Sequence, residues 1–253
     1  MKTPVTTLAV VLIAAVCAGC ASIPINTTAP PEALGRYKRI GVVSITTQTF
    51  SRVYEGLLSV EREQIDSSSW DIDSKYEQQI ATELSSMGGF EAVHGKYSRS
   101  EFSRLGYDKS GLNWDALEGP FRNYCGENQV DAILVALAAY SGDFMANTHQ
   151  RISGAGFIVG FHVPTLSYLH LITIVALVDC QSAKPVATRG LASLRDGMSF
   201  QILRASPVMA APKEIARAPL EQLTDQQIAA IKNNLVELPR KSWAPTLRAI
   251  FGK

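Results

Sequence analysis

The sequence predicts an α/β fold in which a mixed β-sheet packs against helices. Short runs of β-branched and other apolar residues, each about the length of a buried strand, recur along the chain. Segments with apolar residues at helical spacing lie between and after these runs. The predicted order is strand, helix, strand, helix, strand, strand, strand, helix, in a single domain with a C-terminal helical extension.

The first strand, first helix and second strand are predicted within residues 39–93. Residues 39–45 form a β-branched run bounded by polar residues, as expected of a buried strand. Residues 46–69 are polar and mixed, and we expect a long connection there with at most one helical turn. A helix begins near Trp70 and ends at Gly88-Gly89, because glycine accepts the left-handed conformation of a helix end. Residues 90–93 then predict a brief strand.

The second half of the chain supplies the remaining strands. Residues 113–129 look helical in two pieces, with Pro120 able to begin the second. The next run, 130–139, is almost continuously apolar, as is typical of a central strand covered on both faces. Runs at 169–178 and 185–194 follow, joined by a turn into a hairpin. Helices are predicted at 224–238 and 243–251, separated at Pro239.

Residues 152–169 admit two interpretations. Apolar side chains alternate with small ones over about ten residues, which is the length and period of a membrane-barrel strand. Residues 198–202 alternate similarly. The same pattern fits an extended hairpin of an ordinary sheet, or a patch for a partner protein.

The N-terminus predicts an export signal. Lys2 precedes an apolar run of about 11 residues, shorter than the ~20 needed to span a bilayer, and small residues lead to Cys20. This pattern resembles a lipoprotein signal peptide over residues 1–19, with Cys20 lipidated as the new N-terminus, although Cys17 replaces the usual leucine. Ordinary signal-peptide cleavage nearby and an uncleaved anchor remain alternatives.

Lipidation of Cys20 would set the location of the chain. Acyl chains contribute about 0.8 kcal/mol per buried methylene, so a lipoprotein's chains hold it firmly on a membrane. By resemblance to outer-membrane lipoproteins, Ala21 implies transport to the outer membrane, with the domain facing the periplasm. Residues 20–36 are rich in proline and polar residues and predict a flexible tether. The domain is then predicted at 37–205 and the helical extension at 206–253.

Charge and cysteines restrict the partners and the compartment. Without residues 1–19 the chain has 23 basic and 23 acidic residues, and its lack of a basic stripe argues against nucleic acid. Cys125 and Cys180 are the cysteines beyond the signal, and the oxidising periplasm favours a disulfide between them. If the strands from Val130 and to Val178 pair antiparallel, both thiols lie at one end of the sheet. Two buried free thiols are the alternative.

The order of elements looks like that of a group of envelope lipoproteins. The group comprises the curli secretion channel lipoprotein, the lipoprotein activators of penicillin-binding proteins and the N-terminal domain of the Tol-system propeller protein. The residues that carry the resemblance, within 37–195, are Lys38–Val43, Ile80–Leu84 with Gly89-Phe90, Val130–Val135, and Ile174–Asp179 with Lys184–Val186. Ser182-Ala183 replaces the family's usual Thr-Gly turn. The resemblance implies binding or assembly roles without catalysis.

Catalytic and metal-binding motifs are not evident. The four histidines show no metal-ligand spacing, and no nucleophile elbow, phosphate loop or dinucleotide fingerprint is present. We therefore expect no catalytic residue, no metal and no cofactor. The predicted function is an outer-membrane-anchored, non-catalytic binding or assembly factor with an envelope protein as partner, and a homo-oligomer is left open. The alternative is a subunit of an oligomeric outer-membrane secretion pore, and a periplasmic enzyme is a third reading.

Overall fold

The computed structural model describes residues 26–105, 107–108, 111–142, 148, 150–160, 166–191 and 207–253. Their strands are β1 Arg39–Ile45, β2 Thr49–Glu55, β3 Val60–Asp66, β4 Glu91–Val93, β5 Tyr107–Asp108, β6 Gly111–Leu112, β7 Ala132–Ala138, β8 Tyr140–Gly142, β9 Arg151–Gly160, β10 Leu166–Asp179, β11 Lys184–Gly190 and β12 Val208–Ala210. The helices are α1 Pro31–Leu34, α2 Ile72–Ser86, α3 Arg99–Leu105, α4 Glu118–Asn128, α5 Lys213–Arg217, α6 Asp225–Glu237 and α7 Trp243–Phe251, with single 3-10 turns at Ser68–Trp70 and Leu220–Gln222. The predicted mixed α/β class is confirmed.

The long strand β10 organises the sheet. Its first half pairs antiparallel with β9 and β12, and its second half pairs antiparallel with β7 and β11. The strand order is β3-β2-β9-β10-β7-β1-β4, with β1 parallel to both β4 and β7, and β2 parallel to β9. β10 therefore joins two half-sheets.

Helices cover the sheet because successive strand residues face opposite sides. On one face, Leu134 of β7 belongs to a core that includes α2, α6 and α7. On the other, Val135 packs with Phe121 of α4 and Phe102 of α3. β7 is apolar at almost every position because both of its faces are covered.

Most of the predicted elements are confirmed. The first strand, the Trp70–Gly89 helix, the 90–93 strand, the central strand and the 179–185 hairpin form β1, α2, β4, β7 and β10–β11. Gly88 and Gly89 both have positive φ after the end of α2, which is the left-handed conformation predicted for these glycines. Thr224 begins α6 with a capping box.

The expectation for residues 46–69 is wrong, because this stretch contains the β2–β3 hairpin. β3 pairs with β2 at the edge of the sheet, and most of its side chains are exposed. An edge strand that buries so little has charged residues where a central strand has apolar ones, as in Glu61-Arg62-Glu63. The hydrophobic pattern that identified the other strands is therefore missing.

The prediction of a flexible tether is also wrong over residues 27–34, because this segment packs against the domain. The Thr27 N–H donates to the Thr188 carbonyl of β11 at 2.8 Å, and the Ala29 N–H donates to the Ile250 carbonyl of α7 at 2.8 Å. Ala29 and Ala33 are buried against these elements. Small side chains allow this proline-rich segment to lie close to the core.

The C-terminal extension packs into the domain. Tyr76 of α2 donates its hydroxyl proton to the Leu235 carbonyl of α6 at 2.7 Å, and its ring contacts the buried Trp243 of α7.

Residues 151–160 and 166–172 form the β9–β10 hairpin, and β9 is hydrogen-bonded on both edges, to β2 and β10. Of the interpretations of residues 152–169, the structure agrees with the extended hairpin of an ordinary sheet. Residues 198–202 lie outside the described part of the chain. The helices that are described are too short or too polar to cross a membrane.

Candidate binding groove

A cavity of about 660 Å³ lies beside the β2–β3 hairpin, and its apolar lining belongs to cores that do not include α6 and α7. We call it the groove. Its polar lining includes Thr46, Gln48, Thr49, Ser51, Gln64 and Ser153, and its charged lining is Arg62, Arg151 and the ion pair of Arg52 with Glu63. Its apolar lining includes Ile45, Val53, Phe102, Leu137 and Ile152, with Tyr140 at the side. A groove with polar and apolar lining, and with two arginines outside that ion pair, can bind an extended polar ligand.

The loop on one side of the groove is fixed by the buried carboxylate of Asp73, in the first turn of α2. One oxygen accepts hydrogen bonds from the Ser44 hydroxyl at 2.7 Å and from both the N–H and the hydroxyl of Thr46 at 2.8 Å. The other accepts from the Thr47 N–H at 3.2 Å and from the Gln48 amide at 2.8 Å. Asp73 therefore holds two groove-lining residues, Thr46 and Gln48, in place.

Glu77, one turn further along α2, holds Tyr97 and the start of α3 in place beside the groove. It accepts hydrogen bonds from the Tyr97 hydroxyl and from Arg99 Nη2, the latter at 3.1 Å. Burial, and then the negative charge of Glu77, raise the pKa of Tyr97 well above its usual value, so its hydroxyl remains a donor. Arg99 begins α3, whose Phe102 lines the groove. One face of α2 thus orders both the loop and α3.

The β2–β3 hairpin forms the opposite wall and is tied to the body of the domain. The Arg52 guanidinium is 3% exposed and bonds to Glu63 at 2.6 Å and to the Arg217 carbonyl at 2.8 Å. Glu63 also accepts from the Leu220 N–H at 2.7 Å. Burial opposes ionisation of Glu63, but the hydrogen bonds from Arg52 and Leu220 outweigh it and lower the pKa of this carboxyl.

Two arginines place positive charge at the groove. Arg62 of β3 donates to the Arg151 carbonyl at 2.8 Å and to the Gln150 side chain at 2.9 Å, which closes the wall between β3 and β9. The Arg151 guanidinium lies over the Tyr140 ring, 4.5 Å from its centroid. A guanidinium over a ring can still donate its N–H groups to a carboxylate. The groove therefore suits a ligand that carries negative charge.

The predicted site residues lie elsewhere. Cys125 of α4 and Cys180, just after β10, form a disulfide with Cα atoms 5.7 Å apart, and the antiparallel pairing of β7 and β10 brings them together. Cys20 lies outside the described residues. His170 is buried with Nδ1 3.1 Å from the Gly154 carbonyl oxygen, which is a structural role. Within the described part of the chain, His, Cys, Asp and Glu form no cluster that could hold a metal ion.

Sequence reasoning did not find the groove. Its residues come from five separate segments, and the charges of Glu61-Arg62-Glu63 by themselves favour the interpretation of a solvated face. Part of that interpretation holds, because Glu61 is 55% exposed, but Arg62 and Glu63 have defined partners. The polar Thr46-Thr47-Gln48 stretch directly after the buried strand β1 was the available signal.

Comparison with known proteins gives little further information. No protein-family model matches the chain, and no curated protein is significantly similar to it. Among solved structures, a PelC variant dodecamer from Paraburkholderia phytofirmans is 10% identical, covering 87% of this chain and 95% of that one, with a TM-score of 0.32. Lipoprotein GNA1162 from Neisseria meningitidis is 11% identical, covering 78% and 97%, also with a TM-score of 0.32. Similarity at this level assigns neither a function nor an assembly state to this chain.

Proposed function

We propose that this protein is an outer-membrane-anchored lipoprotein that binds another cell-envelope protein without catalysing a reaction. The acylated Cys20 holds the domain at the membrane, and the groove takes an extended, negatively charged segment of the partner. The proposed address is supported by the signal-like sequence before Cys20. The disulfide suits an oxidising compartment.

The observation that carries the binding role is the fixed arrangement of the groove. Its walls are held by Asp73, by Glu77 and by the Arg52–Glu63 pair, none of which lies free to act on a ligand. A surface ordered in advance loses less conformational entropy when a ligand binds. The groove offers hydroxyls, amides and guanidinium groups, which recognise a peptide segment by hydrogen bonds and charge.

The test is site-specific photocrosslinking in cells. A photoreactive phenylalanine analogue replaces Gln64, an exposed residue that lines the groove, and in a parallel strain it replaces Gln181, an exposed residue at the disulfide end. We expect a discrete crosslink to an envelope protein from position 64, and not from position 181.

The crosslink should depend on the charge of the groove. Arg151→Glu reverses that charge and leaves intact the backbone carbonyl that Arg62 contacts, so we expect the crosslink to be lost. Arg248→Glu, an exposed charge reversal on α7, is the matched control and should leave the crosslink in place. A crosslink that survives Arg151→Glu, or that is equally strong from position 181, would refute this use of the groove.

A further inference from the structure

The turn of the β2–β3 hairpin exposes apolar side chains. Leu57 is 74% exposed, Leu58 is 95% exposed, and Val60 beside them is 43% exposed. We call Leu57, Leu58 and Val60 the hairpin tip. The turn is closed by the Gly56 N–H, which donates to the Ser59 carbonyl at 2.8 Å, and β2 and β3 stay paired as far as Glu55 and Val60. The tip is therefore an ordered projection.

The tip lies at the end of the sheet toward which the described chain runs at residues 27 and 26. β2 runs parallel to β9, and Gly160 at the end of β9 pairs with Leu166, so the tip lies at the Leu166 end of β10. Thr27 bonds to Thr188, which pairs with Ala176, whereas Asn26 accepts a hydrogen bond from Gly190, which pairs with Ile174. The chain followed backward from residue 27 to residue 26 thus runs toward Leu166.

The chain between Asn26 and Cys20 is shorter than the distance along the sheet to the tip. Ile174 and Leu166 are eight residues apart on β10, which is about 26 Å at about 3.3 Å per residue. Cys20 and Asn26 are six residues apart, with a maximum reach of about 21 Å. An acylated Cys20 consequently keeps this end of the domain close to the bilayer, at the distance where the tip can touch it.

We propose that the hairpin tip is a second membrane contact, in which Leu57 and Leu58 enter the surface of the leaflet that holds the lipid on Cys20. This rests on the proposed lipidation of Cys20. Full burial of a leucine contributes about 1.5–3 kcal/mol, so the tip is too weak to hold the protein alone and acts to orient an anchored domain. Glu55 and Glu61 flank the tip, so the surface is a zwitterionic phospholipid, since anionic head groups repel them.

The test measures whether the tip reaches lipid. Leu58→Trp and, as the control at the opposite end, Gln181→Trp are made in the acylated chain and placed in phosphatidylethanolamine–phosphatidylcholine vesicles with brominated acyl chains, which quench tryptophan on contact. We expect the Leu58→Trp variant to lose about half of its added fluorescence and the Gln181→Trp variant almost none. Equal quenching of the two variants would overturn the proposal.

A second form of the test separates this proposal from the lipidation on which it rests. The chain from residue 20 with Cys20→Ala and an N-terminal histidine tag is held on vesicles by a nickel-chelating lipid, so the anchor no longer depends on acylation. Quenching of the Leu58→Trp variant supports the proposal even if natural acylation fails. If the tryptophan at position 58 becomes shielded from solvent without vesicles as the protein concentration rises, a second copy of the chain covers the tip. That result would overturn the proposal of a membrane contact.

Discussion

At the scale of single residues, the fold depends on Asp73 for the order of one groove wall. Its two oxygens accept five hydrogen bonds from residues 44–48 inside the structure. Asp73→Asn replaces one oxygen by an N–H₂ group that faces donors, and we expect it to reduce the free energy of unfolding by about 3 kcal/mol. Urea unfolding measures this change.

The matched control for Asp73→Asn is Asp115→Asn. The Asp115 carboxylate is 86% exposed and pairs with Lys184 at the surface, so its replacement should cost no more than about 1 kcal/mol. Equal losses for the two variants would show that the hydrogen bonds to Asp73 do not stabilise the loop.

Glu63 should make the stability of the domain depend on pH in the acid range. Its hydrogen bonds from Arg52 and Leu220 lower its pKa in the folded state below the usual value. A carboxyl with a lowered pKa contributes stability above its unfolded-state pKa and loses it as the pH falls through the folded one. We expect the melting temperature to fall from about pH 5 to about pH 3, and less steeply in Glu63→Gln. Parallel pH curves for the two proteins would contradict this assignment.

At the scale of elements, the disulfide joins α4 to the end of β10. Cys125 and Cys180 are 55 residues apart, and a cross-link that closes a loop of this length stabilises the fold by about 4 kcal/mol in the chain-entropy model. Reduction should therefore lower the unfolding midpoint in urea. The Cys125→Ala/Cys180→Ala double variant should unfold at one midpoint with and without reductant.

The two thiols should also be protected from reagents. Under non-reducing denaturing conditions, we expect Cys125 and Cys180 to take up no maleimide until a reductant is added. Labelling without reduction would contradict the disulfide in the natural protein.

Elements buried on both faces were predictable from sequence, and edge elements were not. β7 and β10 carry long apolar runs because helices or strands surround them, and the cysteine pairing followed from their antiparallel arrangement. β3 at the edge of the sheet exposes most of its side chains, so its charged sequence resembled a loop. The groove was not predicted for a related reason, since its parts meet only after β2 pairs with β9, 105 residues further along the chain.

At the scale of the whole molecule, the segments before and after the predicted domain belong to one packed structure. Residues 27–34 bond to β11 and α7, and α7 packs on α2. The folded part therefore begins within about six residues of Cys20, which leaves little chain for a tether. This proximity was hidden in the sequence by the prolines and polar residues of the segment.

A binding factor and a subunit of a secretion pore are expected to behave differently in solution. A chain that begins at residue 26 should remain in the supernatant without detergent and sediment as a small species. A ring that requires detergent and conducts ions in planar bilayers would instead support the secretion-pore alternative. Sedimentation velocity with and without detergent distinguishes the two results.

The most direct test of the account is the mass of the mature N-terminus from cells. The protein is purified from separated inner membrane, outer membrane and soluble fractions, and its N-terminal peptide is analysed by mass spectrometry. We predict a peptide that begins at Cys20, carries acyl chains and is recovered from the outer membrane. An unmodified N-terminus in the soluble fraction would contradict the proposed location and the membrane-bound role that depends on it.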